Sequence, residues 1–231
     1  MVRKTMNSSY KLSPSDLTFL WDECQRCFYL KVVRKFNRPG MAFPSIFNRI
    51  DRLMKDYFYQ LPTEEISPEL PSGQVAYSSK WVYSAPISFP HHTSSCYIRG
   101  IFDTVLKFDD GSYAVVDFKT TQPKSEHVAF YSRQLHAYSY ALENPNPGKF
   151  SLEPVTILGL LCVEPVQMSR TSQGNLAYEG QVSWLDCPKD DQSFLAFLDL
   201  VLEVLDAPDP PAAHPKCGFC NYRENARNTG Y

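Results

Sequence analysis

GIFDTVLKFDDGSYAVVDFKTTQPKSEHVAFYSRQLHAY, residues Gly100–Tyr138, is the stretch around which this chain of 231 residues is organised. Two apolar runs, Tyr97–Phe108 and Tyr113–Phe118, flank the tripeptide Asp109-Asp110-Gly111. An Asp-Gly pair supplies the positive-φ positions of a tight hairpin turn. The pattern therefore predicts two antiparallel strands at the centre of the fold.

Three charged residues lie on this hairpin. Asp103 is expected on the first strand, and Asp117 and Lys119 on the second, two residues apart and so on one face of the sheet. Paired carboxylates form the hard-oxygen site that Mg²⁺ or Mn²⁺ prefers, and a nearby lysine can hold a water molecule. A solvated hairpin with ordinary surface charges is the alternative. The apolar run VVDFK favours a site, because unpaired charges at the end of a buried strand cost free energy.

A helix is predicted to follow the hairpin, over Ser125–Glu143. Gln134 and Tyr138 are four residues apart and therefore share one face of this helix.

The order G-x-x-D, hairpin, V-V-D-x-K-T and Q-x-x-x-Y resembles the nuclease core of the PD-(D/E)XK superfamily. It is most similar to the RecB-like branch, with its helicase–nucleases and CRISPR-associated iron–sulfur exonucleases. The matching residues are Gly100, Asp103, Asp117, Lys119, Gln134 and Tyr138. The resemblance implies an α/β restriction-endonuclease-like core, with a mixed central β-sheet flanked by helices.

The resemblance also implies roles for these residues. Asp103 and Asp117, with the Phe118 carbonyl, would bind Mg²⁺ or Mn²⁺. Lys119 would position the attacking water, and Gln134 and Tyr138 would brace the lysine, the substrate phosphate, or both.

Helices are expected before the core, over residues 13–59. Pro44 opens the helix PSIFNRIDRLMKDYF, whose apolar stripe is typical of a buried face. The resemblance places a histidine metal ligand on this helix, and Asp51 stands at that position. Asp51 is either an oxygen ligand in its place or an exposed partner of Lys55 at i+4.

The segment Leu61–Ser95 is rich in proline and serine, which predicts loops with one strand near Trp81–Tyr83. His91-His92 lies in this segment and is expected at the surface rather than in a site. Beyond the core, strands are predicted over Val155–Val163 and Leu176–Leu185. A helix is predicted over Ser193–Leu205.

Four cysteines form a second constellation, as Cys24-x-x-Cys27 near the start and Cys217-x-x-Cys220 near the end. Paired C-x-x-C elements bind Zn²⁺ or an iron–sulfur cluster. The RecB-like iron–sulfur nucleases also join their chain ends in this way, but they use one early and three late cysteines. Here Ala226 replaces the last of these, and Cys27 supplies the fourth thiol. Spacing leaves a 4Fe–4S cluster and Zn²⁺ open, and two unrelated cysteine pairs are the alternative.

Composition limits the function classes. The net charge is −2 and the pI about 6.2, so no overall basic field indicates a pure DNA-binding module. The sequence has neither a membrane span of about twenty apolar residues nor the apolar core of a signal peptide, and a cytoplasmic location is expected.

Together these features predict a single nuclease domain over residues 1–231, with termini joined by a cysteine-bound metal. Its core is about 97–143, its N-terminal helices 13–59 and its C-terminal cysteine element 214–231. We expect a metal-dependent nuclease that hydrolyses DNA as an exonuclease on single strands or duplex ends. Repair, recombination or defence would be its setting, with a helicase or other nucleic-acid-processing protein as a partner. The alternative is a nuclease-fold protein that binds nucleic acid or a partner without cutting.

Overall fold

A computed structural model describes residues 8–40 and 44–230 of the chain. In chain order its strands are β1 (Ser9–Leu12), β2 (Gly73–Ser78), β3 (Trp81–Tyr83), β4 (Ile87–Ser88), β5 (Ser95–Ile101), β6 (Thr104–Phe108), β7 (Tyr113–Lys119), β8 (Val155–Arg170) and β9 (Leu176–Cys187). One sheet has the order β2-β6-β7-β8-β9 and contains the predicted hairpin, β6–β7. In the other, β5 pairs with β1, β3 and β4.

The larger sheet is mixed, as expected. Strands β7 and β8 run parallel, while β2–β6, β6–β7 and β8–β9 are antiparallel. A parallel pair needs a crossover, and the long helix between β7 and β8 supplies it. This connection sets the helix against the sheet face next to the end of β7.

Helices cover both sheets. They are α1 (Trp21–Glu23, which continues a π-helical turn, Asp16–Leu20), α2 (Gln25–Arg34), α3 (Ser45–Phe58), α4 (Ser125–Glu143), α5 (Asp191–Asp206) and α6 (Gly218–Asn228). The bounds of α4 are those predicted from the sequence. In the part of the chain that the structure describes, no helix has both the length and the apolar character needed to cross a membrane.

Strand β7 separates two hydrophobic cores because its side chains alternate between the two sheet faces. Val115 packs into the larger core, which also contains apolar residues of α4 and α5. Val116 and Phe118 pack into the smaller core against α3. Asp117 and Lys119 have the same parity as Val115, so the alternation directs them toward α4.

The prediction that the apolar stripe of α3 is core was wrong for four of its seven residues, which are exposed. Met54 and Phe58 are buried in the smaller core, but Leu53 and Tyr57 are exposed. The larger sheet covers only one side of α3. The stripe of apolar side chains is wider than this contact, so the residues at its margin stay exposed.

The proline-rich segment before β5 contains more regular structure than the sequence predicted. The strand expected near Trp81–Tyr83 is present as β3. Strand β2 was missed, although it forms the edge of the larger sheet. Its side chains alternate weakly, and long-range pairing with β6 rather than local pattern makes it a strand.

Candidate active site and cysteine site

Asp117 and Lys119 lie at the end of β7, where the sheet passes under α4. Asp117 is 2% exposed, and its carboxylate is ion-paired with the Lys119 ammonium. The Lys119 Nζ also lies 4.1 Å from the centroid of the Tyr131 ring. The two charges therefore lie on one sheet face, as the spacing predicted, and form an ion pair with each other.

Asp103 does not lie on a strand, contrary to the prediction. The apolar run Tyr97–Phe108 is broken into β5 and β6, and Asp103 sits in the break between them. Its neighbour Phe102 is fully buried, and the backbone bonds from Phe102 N to Lys80 O and from Ser79 N to Asp103 O hold the bend. The chain must bend here because β5 and β6 belong to different sheets.

The bend brings Asp103 to the end of β7. Its Oδ2 accepts a hydrogen bond of 3.2 Å from the backbone N–H of Phe118. The N–H and C=O of one residue point to the same side of an extended strand, so the Phe118 carbonyl is also directed toward Asp103. Two carboxylates and one carbonyl are thus gathered at the edge where β6 begins.

Gln134 and Tyr138 reach this edge from α4. Gln134 Nε2 donates a hydrogen bond of 3.2 Å to Asp117 Oδ1. Tyr138 is buried beneath Gly100, where an added Cβ would lie 3.2 Å from the tyrosine ring and 2.8 Å from Pro14 Cδ. Glycine is needed at position 100 because the Tyr138 ring and Pro14 approach the backbone so closely.

Asp51 is connected to the site through Lys55. The Lys55 Nζ lies 2.9 Å from Asp51 Oδ2 and 2.8 Å from Asp103 Oδ1. The i,i+4 pairing considered from the sequence is present. The contact from Lys55 to Asp103 was missed, since it joins residues 48 positions apart. Tyr131 was also missed, although it shares a face of α4 with Gln134 and Tyr138.

The electrostatics of this cluster favour a bound cation. Burial, followed by the charge of Asp103, raises the pKa of Asp117 to about 7. Burial by itself lowers the pKa of Lys119, but the attraction of Asp117, helped by Asp103, raises it overall. A buried carboxylate whose pKa is raised in part by a second carboxylate is favoured in its ionised form by added positive charge. Oxygen donors of this kind fit Mg²⁺ or Mn²⁺.

The four cysteines meet at one point, where the N-termini of α2 and α6 come together. The Sγ atoms of Cys24, Cys27, Cys217 and Cys220 all lie within 4.8 Å of one another. The shortest separations are 3.6, 3.8 and 3.9 Å. The prediction that the cysteines of the N- and C-terminal regions converge is confirmed.

The helix termini favour the thiolate at Cys24, whereas burial raises the pKa of Cys27 and Cys220. Cys24 and Cys217 are the N-terminal caps of α2 and α6, and Cys27 and Cys220 lie in the first turns. Helix N-termini stabilise thiolates. Although burial opposes it, hydrogen bonds from the backbone of His214 and Cys27 lower the pKa of Cys24 to about 7.

Arg38 supports the cysteine site from outside. Its Nη2 donates a hydrogen bond of 3.3 Å to Cys217 Sγ, and its Nη1 lies 2.6 Å from Glu23 Oε2. Its guanidinium carbon also lies 4.7 Å from the centroid of the Phe219 ring. The sequence offered no signal for this residue.

The profile of the PD-(D/E)XK nuclease superfamily matches residues 49–225, most of the chain, and the chain belongs to that superfamily. A solved structure described as "Crystal structure of SSO0001" is similar in fold. It shares 13% sequence identity at a TM-score of 0.47, covering 90% of this chain and 81% of that one. No curated protein matches the chain in sequence.

Proposed function

We propose that this protein is a metal-dependent deoxyribonuclease that degrades single strands or duplex ends as an exonuclease. The observation that carries the proposal is the convergence of Asp103, Asp117 and Lys119 at one sheet edge, with Gln134 bonded to Asp117. A structural hairpin has no need for two carboxylates and a lysine in a buried position.

Each residue would have a separate role in phosphodiester hydrolysis. Asp103, Asp117 and the Phe118 carbonyl would hold Mg²⁺ or Mn²⁺, which when bound polarises a phosphoryl oxygen and acidifies water. Lys119 would position the attacking water and offset charge that develops on the phosphate. Gln134 keeps Asp117 oriented through its hydrogen bond. Tyr138 packs beneath Gly100 and so holds α4 against β5.

Aromatic side chains between the two sites support a single-stranded substrate. Tyr131, beside Lys119, contacts Phe19 and Phe130 with ring centroids 5.8 and 5.0 Å away. Phe19 also lines a small cavity next to a larger groove, and Arg38 lines both. Exposed aromatic rings stack on unpaired bases whatever their sequence.

The larger groove, of about 650 Å³, lies beside the cysteines and carries both rings and positive charge. Phe36 and Tyr222 line it and are 52% and 76% exposed, and Arg223 lies 4.7 Å from the centroid of the Phe36 ring. Residues 25–38 contain no acidic side chain and the basic residues Arg26, Lys31, Arg34, Lys35 and Arg38. Lys31 is paired with Asp16 and Arg38 with Glu23, so the remaining three residues and Arg223 would contribute most of the positive charge toward a phosphate backbone.

For the cysteine site we propose Zn²⁺. Four thiolates around one tetrahedral zinc ion lie about 3.8 Å apart, given Zn–S bonds of about 2.3 Å. The shortest sulfur separations, 3.6–3.9 Å, are close to this value. A 4Fe–4S cluster attaches each thiolate to a different iron atom and so holds the sulfurs farther apart.

The nuclease proposal is tested with single-stranded DNA labelled at one end or the other, in Mn²⁺. The protein should shorten the strand progressively from one end, and EDTA should stop the reaction. Asp117→Asn should lower the rate on the order of 10³-fold, because it removes a carboxylate that holds the metal. Asp109→Asn is the matched control, since Asp109 is an exposed carboxylate at the hairpin turn.

Three outcomes decide the question. Cleavage that Asp117→Asn leaves unchanged would disprove the proposed site. Internal cuts would replace the exonuclease with an endonuclease. Binding of the strand by the native protein with no cleavage would favour the nuclease-fold binding protein instead.

A further inference from the structure

A third group of metal-binding side chains lies away from both sites. His91 and His92 belong to the loop between β4 and β5, and Asp199 and Asp206 belong to α5. The Asp199 Oδ1 atom lies 2.9 Å from His91 Nε2 and 3.0 Å from His92 Nε2. The other ring nitrogen of His92, Nδ1, lies 3.3 Å from Asp206 Oδ2.

The fold brings these four residues together from two segments more than one hundred residues apart. Asp199 and Asp206 are seven positions apart, two helical turns, and so lie on one face of α5. The loop is fixed on that face because Ser94 Oγ donates a hydrogen bond of 2.8 Å to Asp206 Oδ1. The prediction that His91-His92 lies at the surface was therefore wrong for His92, whose side chain is only 8% exposed, although the His91 side chain is 64% exposed.

Hydrogen-bond donors are too few for this arrangement in its neutral form. Both ring nitrogens of His92 face carboxylate oxygens, but a neutral imidazole donates only one hydrogen. His91 Nε2 faces the same oxygen of Asp199. The cluster needs added positive charge. One imidazolium at His92 would supply that charge, and so would one metal ion bound to both rings and the carboxylate, since the ring centroids lie only 4.5 Å apart.

We propose that His91, His92 and Asp199 form a site for one divalent transition-metal ion, with Zn²⁺ the best chemical match. Two imidazoles and a carboxylate are zinc ligands, and their donor atoms lie within 4.8 Å of one another. Zn–N bonds of about 2.0–2.1 Å require ligand atoms roughly 3.3 Å apart, so the two distances between the imidazoles and Asp199 Oδ1, 2.9 and 3.0 Å, need to lengthen by only a few tenths of an ångström.

Asp206 has the role of an orienting partner in this site. It accepts the Nδ1 hydrogen of His92 and thereby leaves Nε2 free to bind the ion, the usual arrangement behind a metal-bound histidine. The His91 side chain is 64% exposed, so a fourth coordination position would be open to water.

The ion would fasten the loop before β5 to α5. Strand β5 leads directly to Gly100 and Asp103, and the backbone beyond Asp206 is held by Tyr29, whose OH donates to Ala207 O at 3.1 Å. The site would thus connect β5, which leads to Asp103, with the segment that runs from α5 to Cys217. It shares no residue with the carboxylate site or the cysteine site and does not depend on the nuclease proposal.

The test measures zinc bound at a fixed, buffered free Zn²⁺ concentration with excess Mg²⁺, using the full chain. His91→Gln and Asp199→Asn should each bind one equivalent of zinc less than the native protein and lose part of its zinc-dependent gain in melting temperature. Glu203→Gln is the matched control, because Glu203 is an exposed carboxylate of the same helix outside the cluster.

Cobalt substitution separates this site from the cysteines. In the native protein Co²⁺ should give thiolate charge-transfer bands and a second visible spectrum without them. The second spectrum should be lost in His91→Gln and retained in Glu203→Gln. His91 is exposed, so this variant is expected to fold. Equal zinc content in native protein and His91→Gln, or a cobalt spectrum with thiolate bands alone, would overturn the proposal.

Discussion

The carboxylate site and the cysteine site of this protein are assembled in opposite ways. Asp103, Asp117 and Gln134 lie within about thirty residues of one another, on one hairpin and the helix that follows it. Cys24 and Cys220, in contrast, are 196 positions apart and meet only because the ends of the chain meet. The carboxylate site is assembled from elements that are neighbours in sequence, with the place of Asp103 set by the passage between the sheets, whereas the cysteine site is a product of the complete fold.

The difference has consequences for stability. The carboxylates concentrate negative charge in a buried place, so without metal they work against folding. The cysteines close a loop that contains nearly the whole chain, so their metal contributes directly to folding. Removing a ligand should therefore have opposite effects on stability at the two sites.

Cys24→Ser should give the largest effect on stability. The variant should lose its bound metal and its melting temperature should fall by more than about 10 °C. Several kcal/mol of folding energy would be lost, at about 2–4 °C per kcal/mol for a chain of this size. Metal analysis and thermal unfolding check this, with Cys96→Ser as the control, since Cys96 is a buried thiol outside the cluster.

The same experiment identifies the metal. Zinc leaves the protein colourless, whereas an iron–sulfur cluster makes it brown. If the four thiols prove freely reactive in the folded protein and no metal is found, the two cysteine pairs are unrelated and the comparison between the sites fails.

A smaller, pH-dependent effect is expected at the carboxylate site in metal-free protein. The folded-state pKa of Asp117 is raised from 3.8 to about 7 by burial and by Asp103. The favourable contribution of the protonated group is complete below pH 4 and is lost as the pH rises through about 7. At pH 8, Asp117→Asn should therefore be more stable than the native protein, on the order of a few kcal/mol.

Denaturant unfolding in EDTA across pH 4–8 measures this difference, which should grow with pH and then level off above about 7. Saturating Mn²⁺ should reverse the order by stabilising only the native protein. A stability difference that does not vary with pH would mean that Asp117 is ionised throughout, held by Lys119 alone.

The smallest effect is expected at Asp51, which acts on Asp103 through Lys55. Asp51→Asn should weaken Mn²⁺ binding only about two- to fivefold, because an exposed helix pair contributes a few tenths of a kcal/mol up to about one. Calorimetric titration of Mn²⁺ measures it. A loss of a hundredfold or more would instead make Asp51 a direct metal ligand.

The sequence by itself was sufficient for the elements whose cause is local. The Asp-Gly turn and the alternation along VVDFK predicted the hairpin and the shared face of Asp117 and Lys119, and the bounds of α4 followed from helical periodicity. Two C-x-x-C pairs predicted a common site because four thiols at such spacing suit a metal. These features depend on residues close in sequence or on a strong chemical pattern.

Only the tertiary structure decided the rest. The break at Asp103 exists because the chain passes from one sheet to another there, and no property of the apolar run marks that boundary. The contacts of Lys55 with Asp103, and of His92 with Asp199, join residues 48 and 107 positions apart. Periodicity shows which face of an element is apolar or charged, but not which other element lies opposite, because that depends on how the whole chain packs.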